Sequence, residues 1–143
     1  MPDTILLVDD NPDDIDLTMR SFREHHLHNR TVVANDGVEA LDYLFGTGTH
    51  AGRDVHRLPK VVVLDLKMPR INGMDVLKKI RADERTRKLP VVIFTSADED
   101  KEMTECYQNG CNSYVQKPVD MGQFMKASAD VGVYWTVRNK PVP

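Results

Sequence analysis

Five short stretches rich in β-branched and other apolar residues alternate along the chain with stretches of helical periodicity. They cover residues 5–8, 31–34, 61–64, 91–94 and 113–116. The stretch Val-Val-Val-Leu at 61–64 has no polar interruption, which is typical of a strand buried on both faces of a parallel sheet. This alternation predicts one α/β domain in which helices cover both faces of a parallel sheet through right-handed crossovers.

The stretches between these strands carry signals that start and stop helices. Asn11 and Pro12 form a helix-start pair, and Gly110 is a C-terminal stop. Ser96 or Asp98 is the expected N-cap of the fourth helix. The predicted helices cover about residues 12–25, 37–45, 73–83, 99–109 and 120–137. The apolar face of the first helix is predicted to comprise Ile15, Leu17, Met19 and Phe22.

The composition narrows the possible functions. A chain of 143 residues, 41% hydrophobic and 29% charged, is sufficient for one domain with one core. Its formal net charge of −3 gives no reason to expect a nucleic acid or an anionic membrane as partner. No apolar stretch approaches the length of a membrane span, and the first residues do not resemble a signal peptide. We therefore expect a cytoplasmic location.

Cysteine and histidine residues give no metal-binding pattern. Cys106 and Cys111 have no partners at ligand spacing, so we expect buried, reduced thiols. His25, His26 and His28 fall where the first helix is predicted to end, where imidazoles suit the helix dipole. We do not expect a metal at these histidines.

Functional side chains follow four of the five predicted strands: Asp9 and Asp10, Asp65, Thr95, and Lys117. The carboxyl ends of parallel strands lie along one edge of the sheet, so these side chains are expected to meet. Three carboxylates together need a cation, and hard oxygen ligands without sulfur or imidazole suit Mg²⁺ best. The chemistry expected here is nucleophilic attack by Asp65 on phosphorus, with Lys117 and Thr95 binding the phosphoryl oxygens.

The sequence resembles the receiver domains of two-component response regulators over nearly its whole length. The matching motifs are Ile5-Leu-Leu-Val-Asp-Asp10, Val62-Val-Leu-Asp-Leu-Lys-Met-Pro69 with Asn72-Gly73, Pro90-Val-Val-Ile-Phe-Thr-Ser-Ala97, and Tyr114-Val-Gln-Lys-Pro118. The resemblance implies a flavodoxin-like (βα)5 sandwich with strand order 2-1-3-4-5. It also implies a single receiver domain over residues 1–143, with a core at about 3–128 and a C-terminal helix and tail at about 129–143.

The resemblance also implies residue roles. Asp65 would be the phosphoacceptor, with Asp9, Asp10, Asp65 and the backbone carbonyl of Lys67 as Mg²⁺ ligands. Thr95 and Lys117 would take the roles of the switch hydroxyl and the conserved lysine. Tyr114 matches an aromatic switch position; the alternative is a half-buried strand residue with its hydroxyl in water. The Lys117–Pro118 peptide bond would be cis, as in the family.

Two features resemble a subgroup, the small single-domain regulators that pair with phytochrome-type histidine kinases. One is the long connection at residues 47–59, and the other is the ending Val133-Tyr-Trp-Thr-Val-Arg-Asn-Lys-Pro141. Members of this kind often dimerise through the last helix. Tyr134 and Trp135 are therefore either interface residues or a cover for the core.

The expected function is a phosphorylation-dependent switch, which accepts a phosphoryl group from a histidine kinase and acts by protein–protein contact. It is not an enzyme beyond its own phosphorylation and dephosphorylation. An aspartate-nucleophile phosphatase of the haloacid dehalogenase type needs a second acid two residues after the nucleophile, and Lys67 stands there. A flavodoxin-like cofactor binder needs a phosphate-binding loop after the first strand, where Asp9 and Asp10 would repel phosphate.

Overall fold

The computed structural model describes residues 4–141, which fold around one parallel sheet of five strands in the order β2-β1-β3-β4-β5. The order matches the prediction. The strands are β1 (Ile5–Val8), β2 (Thr31–Ala34), β3 (Val61–Leu64), β4 (Val91–Thr95) and β5 (Ser113–Gln116). Every residue of β1, β3 and β4 is buried, as expected for central strands covered on both faces.

Five helices cover the two faces of the sheet. They are α1 (Pro12–Glu24), α2 (Gly37–Phe45), α3 (Gly73–Ala82), α4 (Asp100–Gln108) and α5 (Met121–Val133). Successive strand residues point to opposite faces, so Leu6 and Val8 pack in the core beneath α2, α3 and α4. Ile5 and Leu7 pack in the other core, with Phe22 of α1 and Phe124 of α5.

The contact between α1 and α5 differs from the apolar face predicted for α1. Thr18 and Ser21 are buried there, whereas Leu17 and Met19 are only partly buried. The Ser21 hydroxyl donates to the carbonyl of Met125 at 2.6 Å, so the buried hydroxyl has a hydrogen-bond partner. The apolar pattern of α1 alone would place Ser21 on the solvent-facing side of the helix. A Cβ on Gly132 would lie only 2.7 Å from the Phe22 ring, so these helices approach closely.

Two helix ends also differ from the predictions. The N-cap of α4 is Glu99, and neither Ser96 nor Asp98 caps that helix. The last helix leaves α geometry after Val133, and residues Tyr134–Arg138 form a π-helical segment. Polar contacts fix this segment, since Lys60 Nζ donates to the carbonyl of Thr136 at 2.6 Å.

The long connection at residues 47–59 packs against the end of α2. It contains a short 3₁₀ helix, Gly48–His50. Arg53 fixes it to the end of α2, because its guanidinium donates to the carbonyls of Tyr43 and Leu44 and lies 4.1 Å from the centre of the Tyr43 ring. The last carbonyls of α2, which lack partners within the helix, thereby gain a charged donor.

The two cysteines and His26 occupy structural positions. Cys106 and Cys111 are buried free thiols, as predicted, and burial is the main cause that raises the pKa of Cys106 to about 12. His26 has a φ of 59° just after α1, a conformation that ends the helix.

Within residues 4–141, no helix has the length and apolar character that crossing a bilayer requires.

Candidate functional site

Strand register brings the predicted site residues together at the carboxyl edge of the sheet. Val8 of β1 pairs with Leu64 of β3, so Asp9 and Asp65 follow at the same level. The Asp65 amide donates to the carbonyl of Val8 at 3.0 Å. On the other side, the Lys117 amide donates to the carbonyl of Thr95 at 2.7 Å. Backbone pairing thus sets the positions from which these side chains reach one another.

Three carboxylates form one group. Oxygen atoms of Asp9, Asp10 and Asp65 all lie within 4.8 Å of one another. Asp9 is 3% exposed and Asp65 is 8% exposed, whereas Asp10 faces solvent. Burial is the main cause that raises the pKa of Asp9, and the Asp65 charge adds to it, although Lys117 and the Asn11 amide act in the opposite direction. This donor set, all hard oxygen, fits a divalent cation.

The Lys117 ammonium lies at the centre of the acidic side chains. Its Nζ is 2.7 Å from Asp9 Oδ2, 2.8 Å from Asp14 Oδ2 and 3.1 Å from Asp65 Oδ2. Burial disfavours the charged ammonium, but the nearby carboxylates outweigh it and raise the pKa of Lys117 above its ordinary value. Lys117 is therefore a cation fixed beside Asp65.

The expectation of a cis bond at Lys117–Pro118 is wrong for this structure, because residues 4–141 contain no cis peptide bond. The trans form is the lower in energy for most X–Pro bonds. Lys117 reaches its three carboxylate partners from the trans backbone.

The segment after β3 fits closely around Asp65. Asp65 Oδ1 accepts a hydrogen bond from the Leu66 amide at 2.8 Å, which orients the carboxylate. The Gly73 amide then donates to the carbonyl of Leu66, also at 2.8 Å. A Cβ on Gly73 would collide with the carbonyl oxygen of Asp65, so glycine is required at the start of α3.

Thr95 and Tyr114 contact the amide and the carbonyl of one residue, Ala97. The buried Thr95 hydroxyl accepts a long hydrogen bond from the Ala97 amide, 3.4 Å. The Tyr114 hydroxyl donates to the Ala97 carbonyl at 2.9 Å. The reading in which the Tyr114 hydroxyl is free in water is therefore wrong, since it bonds to the loop that follows β4.

Known proteins share the sequence pattern and the fold of this chain. A family model described as the response regulator receiver domain matches residues 5–129. The chain belongs to this family. It is 36% identical to a probable methanogenesis regulatory protein, FilR2 of Methanothrix harundinacea (strain 6Ac), over 97% of this chain and 87% of that protein.

Solved structures of phytochrome-associated regulators have the same fold as this receiver. The bacteriophytochrome response regulator AtBRR is 43% identical, with 98% of this chain and 99% of that chain covered and a TM-score of 0.76. The phosphorylated cyanobacterial phytochrome response regulator RcpA is 25% identical over the full length of both chains, with a TM-score of 0.91. The predicted subgroup resemblance is thereby confirmed.

The Lys67 side chain, two residues after Asp65, is exposed and lines a groove of about 380 Å³ together with Glu102 and Glu105 of α4. One contact of the site was not predicted. Asp14, in the first turn of α1, contacts Lys117. No sequence pattern indicated this contact, because acids in a first helical turn are explained by the helix dipole alone.

The environment of Tyr114 gives a testable pH dependence. Burial is the main cause that raises the pKa of Tyr114 to about 12, and nearby acidic groups and thiols add to it. The neutral Tyr114 hydroxyl contributes to the free energy of unfolding. This contribution is complete below about pH 10 and is lost as the pH rises through the folded-state pKa of Tyr114. The tyrosinate absorbance of the wild type minus that of Tyr114→Phe should titrate with a midpoint near pH 12. A midpoint near pH 10, like that of an ordinary tyrosine, would contradict the buried hydrogen bond. Tyr134→Phe, at a half-exposed ring, is the control.

Proposed function

We propose that this receiver domain accepts a phosphoryl group on Asp65 from the phosphohistidine of a histidine kinase, in a Mg²⁺-dependent reaction. It then signals through a conformational change that alters its contacts with other proteins. The observation that supports this most directly is the Lys117 ammonium, held 3.1 Å from Asp65 beside the carboxylates of Asp9 and Asp10. That arrangement combines a nucleophile, a cation and a metal-ligand group at one sheet edge.

Asp65 acts as the nucleophile. A carboxylate oxygen forms a bond to phosphorus while the bond between phosphorus and the donor's imidazole nitrogen breaks, and the electron pair stays on the imidazole. The Leu66 amide orients the carboxylate, and Lys117 pairs with a phosphoryl oxygen. Bound Mg²⁺, with Asp9, Asp10, Asp65 and the Lys67 carbonyl as ligands, would supply neutralising charge for the phosphoryl oxygens.

Thr95, Ala97 and Tyr114 supply the path from Asp65 to the surface. A phosphoryl group adds charge and acceptor oxygens to which the Thr95 hydroxyl can donate. The hydrogen bond from the Ala97 amide to that hydroxyl is long, so moving the hydroxyl costs little. Because Tyr114 bonds to the carbonyl of the same residue, a shift of the loop also moves the tyrosine. We propose Thr95 and Tyr114 as the switch pair.

The upstream partner we propose is a sensor histidine kinase, with a phytochrome as a candidate. RcpA is 25% identical to this chain, AtBRR is 43% identical, and both share its fold. The names of those two proteins connect them to phytochromes. The downstream partner is a protein rather than a nucleic acid, since the net charge of −3 favours no polyanion. The reaction would take place in the cytoplasm.

We also propose a single receiver domain, with a core at about 3–128, whose C-terminal extension at about 129–143 mediates homodimerisation. Tyr134 is 50% exposed and Val137 is 65% exposed on the π-helical segment, where they could pack against a second copy. Sedimentation at increasing concentration should show self-association, and a chain ending before Tyr134 should associate more weakly. Equal association of both forms would contradict this interface.

The alternative, a phosphatase of the haloacid dehalogenase type, has less support. Its general acid would stand two residues after Asp65. Lys67 occupies that position, and its exposed side chain lines a groove together with Glu102 and Glu105 of α4. Lasting phosphorylation of Asp65 without turnover of small phosphoesters would separate the two functions.

Beryllium fluoride, a phosphoryl mimic, tests the proposal without a kinase. In the presence of Mg²⁺, we expect the amide resonances of Leu66, Thr95 and Tyr114 to shift until one equivalent has bound. Asp65→Asn, or removal of Mg²⁺ with EDTA, should abolish these shifts. Shifts that persist in Asp65→Asn would contradict the assignment of the acceptor.

A further inference from the structure

Asp14 contacts the catalytic lysine without belonging to the metal-ligand group. Its Oδ2 lies 2.8 Å from Lys117 Nζ, between the Asp9 contact at 2.7 Å and the Asp65 contact at 3.1 Å. The carboxylates near enough to share one cation are Asp9, Asp10 and Asp65. Asp14 therefore interacts with this site through the lysine.

Helix capping does not account for the position of the Asp14 carboxylate. The Asn11 side chain caps α1 by accepting from the amides of Asp13 and Asp14. In a capping box, the third helical residue would bond back to the amide of the N-cap residue, but the Asn11 amide donates to Asp9 Oδ1 at 2.9 Å. Asp13, the other acid in this turn, is exposed, whereas the Asp14 side chain is only 24% exposed and points at Lys117.

We propose that Asp14 is a positioning residue that competes with the phosphoryl group for Lys117 and so weakens phosphoryl binding at Asp65. This rests on the function proposed above. The ammonium has three N–H donors, and the structure uses one for each of Asp9, Asp14 and Asp65. A phosphoryl oxygen can gain a donor from Lys117 only when one of these carboxylates loses its own.

The negative charge of Asp14 should weaken phosphoryl binding at Asp65, as its competition for the Lys117 donor does. Three carboxylates contact one ammonium, and a fourth, that of Asp10, lies beside Asp9 and Asp65. A phosphoryl group on Asp65 adds further negative charge a short distance from Asp14. Asparagine at position 14 keeps an oxygen that can accept from Lys117 but removes the negative charge. The same change removes an attraction for Mg²⁺. The two ligands should therefore respond to Asp14→Asn with opposite signs.

The experiment measures both affinities on the intact chain by following the Leu66 amide resonance. With saturating Mg²⁺, Asp14→Asn should bind beryllium fluoride about three- to tenfold more tightly than the wild type. Without beryllium fluoride, the same variant should bind Mg²⁺ about twofold more weakly. Asp13→Asn removes the neighbouring charge from the same helical turn and should change neither affinity by as much. Asp14→Glu, which restores the charge, should return both affinities towards the wild type.

Three outcomes are decisive against the proposal. Equal affinities in Asp14→Asn and Asp13→Asn overturn the role of Asp14 and leave the proposed function standing. A parallel loss of both affinities in Asp14→Asn, which Asp14→Glu does not restore, assigns Asp14 a merely structural role. If the wild type itself binds no beryllium fluoride, the proposed function fails, and the role of Asp14 fails with it.

Discussion

Lys117→Met is expected to lower the free energy of unfolding of the metal-free protein by about 3 kcal/mol. The substitution removes the shared cation of Asp9, Asp14 and Asp65, of which Asp9 and Asp65 are almost fully buried. Methionine fills a similar volume, so charge rather than a cavity dominates the effect. Urea denaturation with EDTA present measures it.

Adding Mg²⁺ and changing the pH each test whether the stability loss in Lys117→Met comes from the missing positive charge. Mg²⁺ should recover part of the stability lost in Lys117→Met, because it binds the folded carboxylates. Folding raises the pKa of Lys117, so its stabilisation is complete below about pH 10 and is lost only as the pH rises through the folded-state pKa.

Lys126→Met, at an exposed lysine of α5, is the matched control and should change stability by less than about 0.5 kcal/mol. An equal loss in the two variants would contradict the ion-pair account.

Gly73→Ala is expected to lower the free energy of unfolding by about 2 kcal/mol and to weaken beryllium fluoride binding. The added methyl group would meet the carbonyl oxygen of Asp65 and the backbone of Leu66, which a small side-chain adjustment cannot relieve. The segment that orients the Asp65 carboxylate must therefore move. Urea denaturation and the Leu66 amide shift report the two effects.

Gly122→Ala is the control for Gly73→Ala, because both glycines lie in the first turn of a helix. The nearest atom to a Cβ at position 122 is the Asp120 carboxylate oxygen that caps α5, at 3.3 Å, and a shift of a few tenths of an ångström relieves this contact without loss of the cap. Alanine is also the better helix former, so this variant should be neutral or up to about 1 kcal/mol more stable. If Gly73→Ala were equally harmless, the close approach at Asp65 would not constrain the site.

The strand ends could be predicted because two simple rules apply to them. Uninterrupted apolar runs locate buried strands, and parallel pairing places their carboxyl ends at one edge. Asp9 and Asp65 follow such strands directly, and Lys117 follows the partly buried edge strand that pairs in parallel with β4, so their convergence was predictable without knowledge of any loop. The hydrogen bond between Tyr114 and Ala97 was not, because it depends on how the loop after β4 folds back.

The features that sequence could not predict depend on contacts between distant segments. Ser21 is buried because a carbonyl of α5 accepts its hydroxyl proton, which no periodicity in α1 reveals. The π-helical segment after Val133 accompanies the Lys60–Thr136 contact, which joins residues far apart in the chain. Asp14 resembles any acid near a helix N-terminus until the position of Lys117 is known.

The mass of the intact protein after incubation with acetyl phosphate and Mg²⁺ tests the central claim most directly. The account predicts that the wild type gains one phosphoryl group, that EDTA prevents the gain, and that Asp65→Asn gains none. Phosphorylation of Asp65→Asn to the same extent as the wild type would show that Asp65 is not the acceptor, and would contradict the account.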